Sequence, residues 1–304
     1  MFDQFQTNPQ SLKRRLCRGL SGLVAVSTLS VAAPAIAASP TPTVESSPNP
    51  SPQLVSLDLD LSPANIIRNA VRLVQVANIS NEEEVALGQQ ISEMILQQYD
   101  PYVNPQVNQY VDRVGQQLVA ASDRRDIPYT FRVLQSEEIN AFATPGGFIY
   151  VTTGLLRAAD NEAQLASVLA HEIAHVNERH SIQALRRAVL AQGVAETAGL
   201  DMNTLAQIGY QIAVDLPWSR EFEYEADRVG LGILTNAGYA PIALINFFEK
   251  LQDRPLPPEF LRTHPTSENR IEAIAAQIPP EIAYQGQGLS GEVYQRNVSS
   301  QLGG

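Results

Sequence analysis

Cysteine is almost missing from this chain of 304 residues: there is one, Cys17. A disulfide framework needs pairs and a thiolate metal site needs several, so both are excluded. Unbroken apolar stretches are short as well. The uncharged run 202–214 falls well below the roughly 20 residues that a bilayer-crossing helix requires, and the longer uncharged runs 139–156 and 229–248 are interrupted by Pro145-Gly146-Gly147 and by Gly238-Tyr239-Ala240-Pro241, which predicts an exported domain without a crossing. Basic residues are outnumbered, with 21 Lys and Arg against 32 Asp and Glu and a net charge of −11. A surface of that sign lacks the basic footprint that a nucleic-acid backbone or an anionic membrane demands, so neither is expected as a partner. Histidine is scarce too, at four residues: His171, His175, His180 and His264. Any metal must therefore be held by these and by carboxylates. What remains is the composition of a globular protein, 44% apolar and 17% charged, on a length that buries a sizeable core without staples.

The first 37 residues read differently from the rest. Lys13, Arg14, Arg15 and Arg18 against Asp3 give a net of +3, which leaves −14 on the remainder. This basic cluster, the apolar run from Leu20 to Val31 and the small triplet Ala35-Ile36-Ala37 are the three parts of a secretory signal peptide, with cleavage after Ala37. The apolar run is too short for a membrane anchor and Pro34 closes it. Arg14-Arg15 suggests a twin-arginine signal, but Leu16, Cys17 and Arg18 match that pattern poorly. Residues 38–63 are rich in Pro and Ser and read as an extended linker. Ile66, Ile67, Ala70, Val71, Val74 and Ala77 then fall at helical spacing, a stripe suited to core packing or to peripheral association with a membrane. A folded domain is expected over 64–280 and a Gly-, Gln- and Ser-rich tail over 281–304.

From Asn81 the periodicity is mostly helical, with Glu82, Glu83 and Glu84 in a first turn where acidic groups suit the helix dipole. A second helix is predicted over 106–121, then strands over Tyr129–Leu134 and Phe148–Thr152. Pro145-Gly146-Gly147 between them marks a tight turn. Further helices are expected over 161–197, 203–215, 219–236, 241–252 and 267–277. The fold class is therefore α+β and predominantly helical, with a small sheet.

His171-Glu172-Ile173-Ala174-His175 is an H-E-x-x-H pattern inside a helix. Histidines four apart stand one turn apart on one face, where both imidazoles can bind one Zn²⁺. Glu172 projects from the same side and suits the general base and acid of a hydrolysis. A catalytic zinc wants one more protein ligand. Glu221, Glu223 and Glu225 all lie on a following helix, and spacing alone does not choose among them, since so charged a helix is by default a solvated face. His180 lies five residues past His175, about 140° around an unbroken helix, so it is expected to point away from the metal and to be structural.

His171-Glu172-Ile173-Ala174-His175, Glu223-Tyr224-Glu225-Ala226-Asp227 and Thr263-His264-Pro265 together resemble the gluzincin-type zinc endopeptidase family that includes the CAAX prenyl proteases, HtpX, and the periplasmic quality-control proteases of the BepA and LoiP kind. The likeness runs over about 80–275. It implies one Zn²⁺ per chain, with Glu223 as third ligand and Asp227 orienting a ligand histidine. Asn140, Ala141, Phe142, Gly146 and Gly147 resemble the family's edge strand, which implies backbone pairing with an extended substrate; without the zinc motif this stretch would read as a plain hairpin turn. In family members a histidine in a His-Pro context approaches the zinc, which implies for His264 either stabilisation of the oxyanion or closure of the open position. Arg270 is expected to pair with a site carboxylate. Without spanning helices or a helical-repeat domain, the chain is most similar to stand-alone LoiP-like members. The resemblance thus implies a periplasmic or secreted metalloendopeptidase whose partners are unfolded or misassembled envelope proteins, with no motif that fixes an oligomeric state. A second reading keeps the fold as a chaperone or assembly factor whose protease is shut by His264.

Overall fold

A computed structural model describes residues 79–191, 201–265 and 268–302. The expected signal peptide, linker and amphipathic stripe at 66–77 lie outside the described residues.

The body is a stack of helices around a three-stranded sheet. Helix α1 spans Asn81–Gln98 and starts on a reciprocal cap: Ser80 Oγ accepts from the Glu83 N–H at 3.2 Å, and the Glu83 carboxylate accepts from the Ser80 N–H at 2.8 Å. Helix α2 spans Pro105–Ala120, with proline at its first position and the Asn104 side chain capping the N–H groups of Gln106 and Val107. Strands β1 (Thr130–Leu134), β2 (Ala141–Thr144) and β3 (Phe148–Thr152) follow. The sheet order is β1-β3-β2, with β1 parallel and β2 antiparallel to β3. The stretch expected as a turn thus contains both a strand and a turn, and β2 lies at a sheet edge.

The link between β2 and β3 is one 3-10 turn, Pro145–Gly147, in which Gly146 and Gly147 take φ values of 75° and 87°. That left-handed region strains any residue with a Cβ. A Cβ on Gly146 would also stand 2.6 Å from the Val85 backbone of α1. Glu84, expected only to suit a helix dipole, is buried here and accepts from the Gly146 N–H at 3.2 Å. It also pairs with Arg124 at 2.9 Å and Arg179 at 2.7 Å.

Helix α3 (Thr153–Ala158) leads to α4 (Glu162–Asn177), which Asn161 caps by accepting from the Gln164 N–H at 3.0 Å. Every residue of α4 from Ala163 to Val176 is buried, because α2, α7, α8 and β2 pack around it. The long helix expected over 161–197 is broken: α4 ends at Asn177, Arg179 takes φ 55°, and α5 (His180–Ala191) leaves in a new direction. The Arg179 guanidinium is held by the Ile79 carbonyl at 2.8 Å and by Glu84.

Helix α6 (Met202–Tyr210) winds into a π-helical turn, Gln211–Asp215, and α7 (Arg220–Asn236) starts on a Ser219 cap. Helices α8 (Ile242–Gln252), α9 (Glu259–Thr263) and α10 (Glu268–Ala275) complete the region around α4. The segment read as a tail carries α11 (Gly291–Asn297), whose buried Tyr294 donates from its hydroxyl to the Leu156 carbonyl at 2.8 Å. One apolar cluster joins α2, α4, α7 and α8, and a second joins α1, α5, α6 and Trp218. Among the described residues no helix is long and apolar enough to cross a membrane.

Candidate metal centre

Helices α4 and α7 face each other where Gly230 lies against the backbone of Ala170 and His171. A Cβ at Gly230 would sit 3.1 Å from both the Ala170 carbonyl oxygen and the His171 Cα, so glycine sets the helix separation. Two turns earlier on α7, Glu223 is thereby brought onto the H-E-x-x-H face. Glu223 Oε1 lies 3.4 Å from His175 Nε2, and Glu223 Oε2 lies 3.6 Å from His171 Nε2. The two Nε2 atoms are 3.2 Å apart.

His264, at the end of α9, reaches the same point. Its Nδ1 lies 3.1 Å from Glu223 Oε1 and 3.3 Å from His171 Nε2. One ligand atom from each of His171, His175, Glu223 and His264 falls within 4.8 Å of all the others, and all four residues are buried. Three imidazoles and one carboxylate sharing so small a buried volume form the donor set of a borderline-soft divalent ion such as zinc. Of the four, Glu223 brings the one negative charge, and its Oε1 faces both His175 Nε2 and His264 Nδ1.

Glu172 stands beside this set with both carboxylate oxygens buried and without a hydrogen-bond donor. Its nearest ring nitrogen is His264 Nε2 at 3.5 Å. Burial raises its pKa above the ordinary carboxylate value; His264, His171 and the Ala143 backbone oppose that rise and Glu223 adds to it. The part played by Ala143 places the edge strand β2 next to the candidate base. Asn140, Ala141 and Phe142 continue along that strand, and Gly146 and Gly147 form its closing turn. Phe142 stacks on Tyr150 at 5.0 Å between ring centroids. Asn140 is buried and its side-chain carbonyl oxygen has no partner.

A second layer holds the donors in place. Asp227 Oδ1 lies 3.2 Å from His171 Nδ1, on the side of the ring away from the donor set. Arg270 grips Asp227 with two bonds of 2.7 Å, reaches Glu223 Oε2 at 2.5 Å and donates to the Pro265 carbonyl at 2.9 Å. Sequence reasoning gave Arg270 one carboxylate, and it bridges two. Burial pulls the His171 pKa down, but Asp227 and Glu223 more than reverse this and push it up to about 10. Burial with weaker compensation holds His175 well below the usual histidine range. Burial would raise Glu223, yet the three histidines outweigh it and hold the carboxyl well below its usual range. These directions belong to the metal-free site, and a bound cation favours the neutral form of each ring.

His180 departs from expectation. The break at Arg179 turns it back, so that its Nδ1 lies 2.9 Å from His175 Nδ1 and its Nε2 lies 3.3 Å from Glu225 Oε2. The geometry of an unbroken helix had pointed it away. Trp218, which no motif marked, stacks on His175 with centroids 4.8 Å apart, and its backbone N–H donates to the Thr263 carbonyl at 2.9 Å just before His264.

Fold and site together define a class, zinc metallopeptidases with an H-E-x-x-H helix and a glutamate-bearing helix packed against it. A family model described as peptidase family M48 matches residues 105–278. The chain belongs to peptidase family M48, a family of metallopeptidases that use zinc and act on proteins. It is 34% identical over 216 residues to a beta-barrel assembly-enhancing protease of Yersinia pestis, covering 64% of this chain and 44% of the relative. The protein of the same name from Escherichia coli strain K12 is 35% identical over 190 residues, 56% of this chain and 39% of the relative. The mitochondrial metalloendopeptidase OMA1 of Schizosaccharomyces pombe is 31% identical over 214 residues, 66% of this chain and 63% of the relative. The chain spans less than half the length of these bacterial relatives.

Proposed function

We propose that this protein is a zinc metalloendopeptidase of the cell envelope that cleaves unfolded or misassembled proteins. The observation that carries this reading is the convergence of four buried donors beside a buried, unbonded glutamate. His171, His175 and Glu223 are its proposed zinc ligands. When bound, zinc supplies a Lewis acid that polarises the scissile carbonyl and makes water more acidic. Glu172 takes a proton from the attacking water and returns it to the leaving amine. Neither oxygen is taken by a donor in full hydrogen-bond geometry, which leaves both for that task. Asp227 Oδ1, 3.2 Å from His171 Nδ1, is placed to take its proton and so present the Nε2 lone pair, while Arg270 balances the Asp227 and Glu223 charges. Strand β2, with Asn140, Ala141, Phe142 and the Gly146-Gly147 turn, offers a sheet edge on which an extended substrate can pair through its backbone. Pairing of that kind tolerates many side chains, which suits unfolded clients. The names of the bacterial relatives and the signal-peptide pattern of residues 1–37 both favour the envelope as the compartment.

His264 supports a resting state that is shut. A catalytic zinc keeps one position open, and the His264 ring lies among the donors at 3.1–3.3 Å, fully buried. In this reading the His264 loop must move before a peptide can reach the metal, and Arg270, bonded to the Pro265 carbonyl, holds it closed. His264→Ala is expected to raise cleavage of an unfolded protein several-fold with zinc still bound. A fall of a hundredfold instead assigns His264 to the oxyanion, and unchanged turnover removes the gate.

A further inference from the structure

His180 has no place in the chemistry above, yet it is fully buried against a proposed zinc ligand. Two ring nitrogens 2.9 Å apart, His175 Nδ1 and His180 Nδ1, must share one proton, since two lone pairs or two N–H groups at that distance repel. His175 Nε2 is the nitrogen that faces Glu223 and His171. On the proposed reading of that nitrogen as a zinc ligand, its lone pair points at the metal and the proton of the ring sits on Nδ1. His175 therefore donates and His180 Nδ1 accepts. The proton of His180 is then on Nε2, where Glu225 Oε2 stands ready to accept it at 3.3 Å. Each donor in this chain meets an acceptor, and no other tautomer pair satisfies both contacts of His180.

We infer that His180 is a positioning residue for the zinc ligand His175, fixing its tautomer and ring orientation, with Glu225 behind it. The two ligand histidines are thus backed differently: His171 by the Asp227 carboxylate directly, His175 by a neutral imidazole that passes the link to a carboxylate 37% exposed at the surface. The device depends on the break at Arg179, whose left-handed backbone brings the first residue of α5 back onto the last turn of α4. Phe222 stacks on His180 with centroids 4.3 Å apart and an interplanar angle of 20°, which locks the ring in the plane the relay needs.

Packing alone would explain burial and stacking, so the test separates polarity from shape. Zinc affinity is measured on the purified chain by competition with a chromophoric chelator, for wild type, His180→Phe, His180→Gln and Glu225→Ala. His180→Phe keeps a flat ring against Phe222 and removes the acceptor; its zinc dissociation constant is expected to rise about 10- to 100-fold, the usual cost of losing the outer partner of a ligand histidine. His180→Gln retains an acceptor and a donor and is expected to recover most of that loss. Glu225→Ala, at a half-exposed position that does not threaten the core, is expected to weaken zinc by a smaller factor, about threefold or more. Should His180→Phe fail to fold, Glu225→Ala decides: weaker binding supports the relay and unchanged binding overturns it. Wild-type affinity in His180→Phe, or equal loss in the Phe and Gln variants, also overturns it. A wild-type chain that binds no zinc overturns the function proposed above, a distinct result.

Discussion

At the scale of single residues, the chemistry of the site depends on which way each imidazole and carboxylate faces. His171 and His175 share a face because a helix returns after 3.6 residues, and that much is legible in H-E-x-x-H. The choice of Glu223 over Glu221 and Glu225 is not legible in spacing, since all three lie on one helix and only packing shows which is buried; the family resemblance selected it. Glu172 provides a pH signature. Its pKa is raised, first by burial, and a general base acts only when ionised, so kcat/KM is expected to fall as pH drops through a value above the usual glutamate range. A pH profile of peptide cleavage checks this, and an acidic limb at or below the ordinary glutamate range would contradict it. Glu172→Gln should lower kcat by about 10²- to 10⁴-fold while zinc content stays at one per chain, as read by metal analysis of the same sample.

At the scale of elements, the site depends on how closely α4 and α7 approach. Gly230 sets that separation against backbone atoms, which cannot move aside as a side chain can. Gly230→Val is expected to cost about 1–3 kcal/mol of stability, the usual cost of overpacking, and to weaken zinc binding by moving Glu223 off the metal. Thermal melting with and without chelator checks both parts, and a variant that melts and binds zinc like wild type would contradict the packing argument. Much of the element order was legible. The periodicities of α1, α2 and α7 and the β-branched and aromatic runs of β1 and β3 appear near the expected positions. The break between α4 and α5 was not, because Asn177-Glu178-Arg179-His180 contains no Gly or Pro and its helical pattern runs on. Arg179 holds a left-handed conformation through tertiary contacts to Ile79 and Glu84, 100 and 95 residues away in sequence, and local reasoning has no access to those. The helix in the C-terminal segment was missed for a related reason. Its composition reads as loop, and the burial of Tyr294 against Leu156 supplies what propensity lacks.

At the scale of the whole molecule, the fold joins α1, the turn after β2 and the end of α4, the H-E-x-x-H helix, through one buried carboxylate. Glu84 accepts from Gly146 and pairs with Arg124 and Arg179, while Arg124 also donates to the Val176 carbonyl at 2.8 Å. Edge strand β2 and helix α4 are thereby held to the same frame, which the proposed pairing of an extended substrate beside the metal would require. The N-terminal pattern makes a separate prediction. Protein recovered from an expressing bacterium should begin at Ala38, and N-terminal sequencing that finds Met1 instead would contradict the signal-peptide reading. Metal-dependent hydrolysis at the H-E-x-x-H site is tested by degradation of an unfolded model protein by the purified chain, beside Glu172→Gln and a chelated sample. Wild type is expected to cleave and both controls to leave the protein intact, with recovery when zinc is returned to the chelated sample. Cleavage that persists in Glu172→Gln or in chelator, or a zinc-loaded wild type and His264→Ala variant that both leave the protein intact, would contradict it.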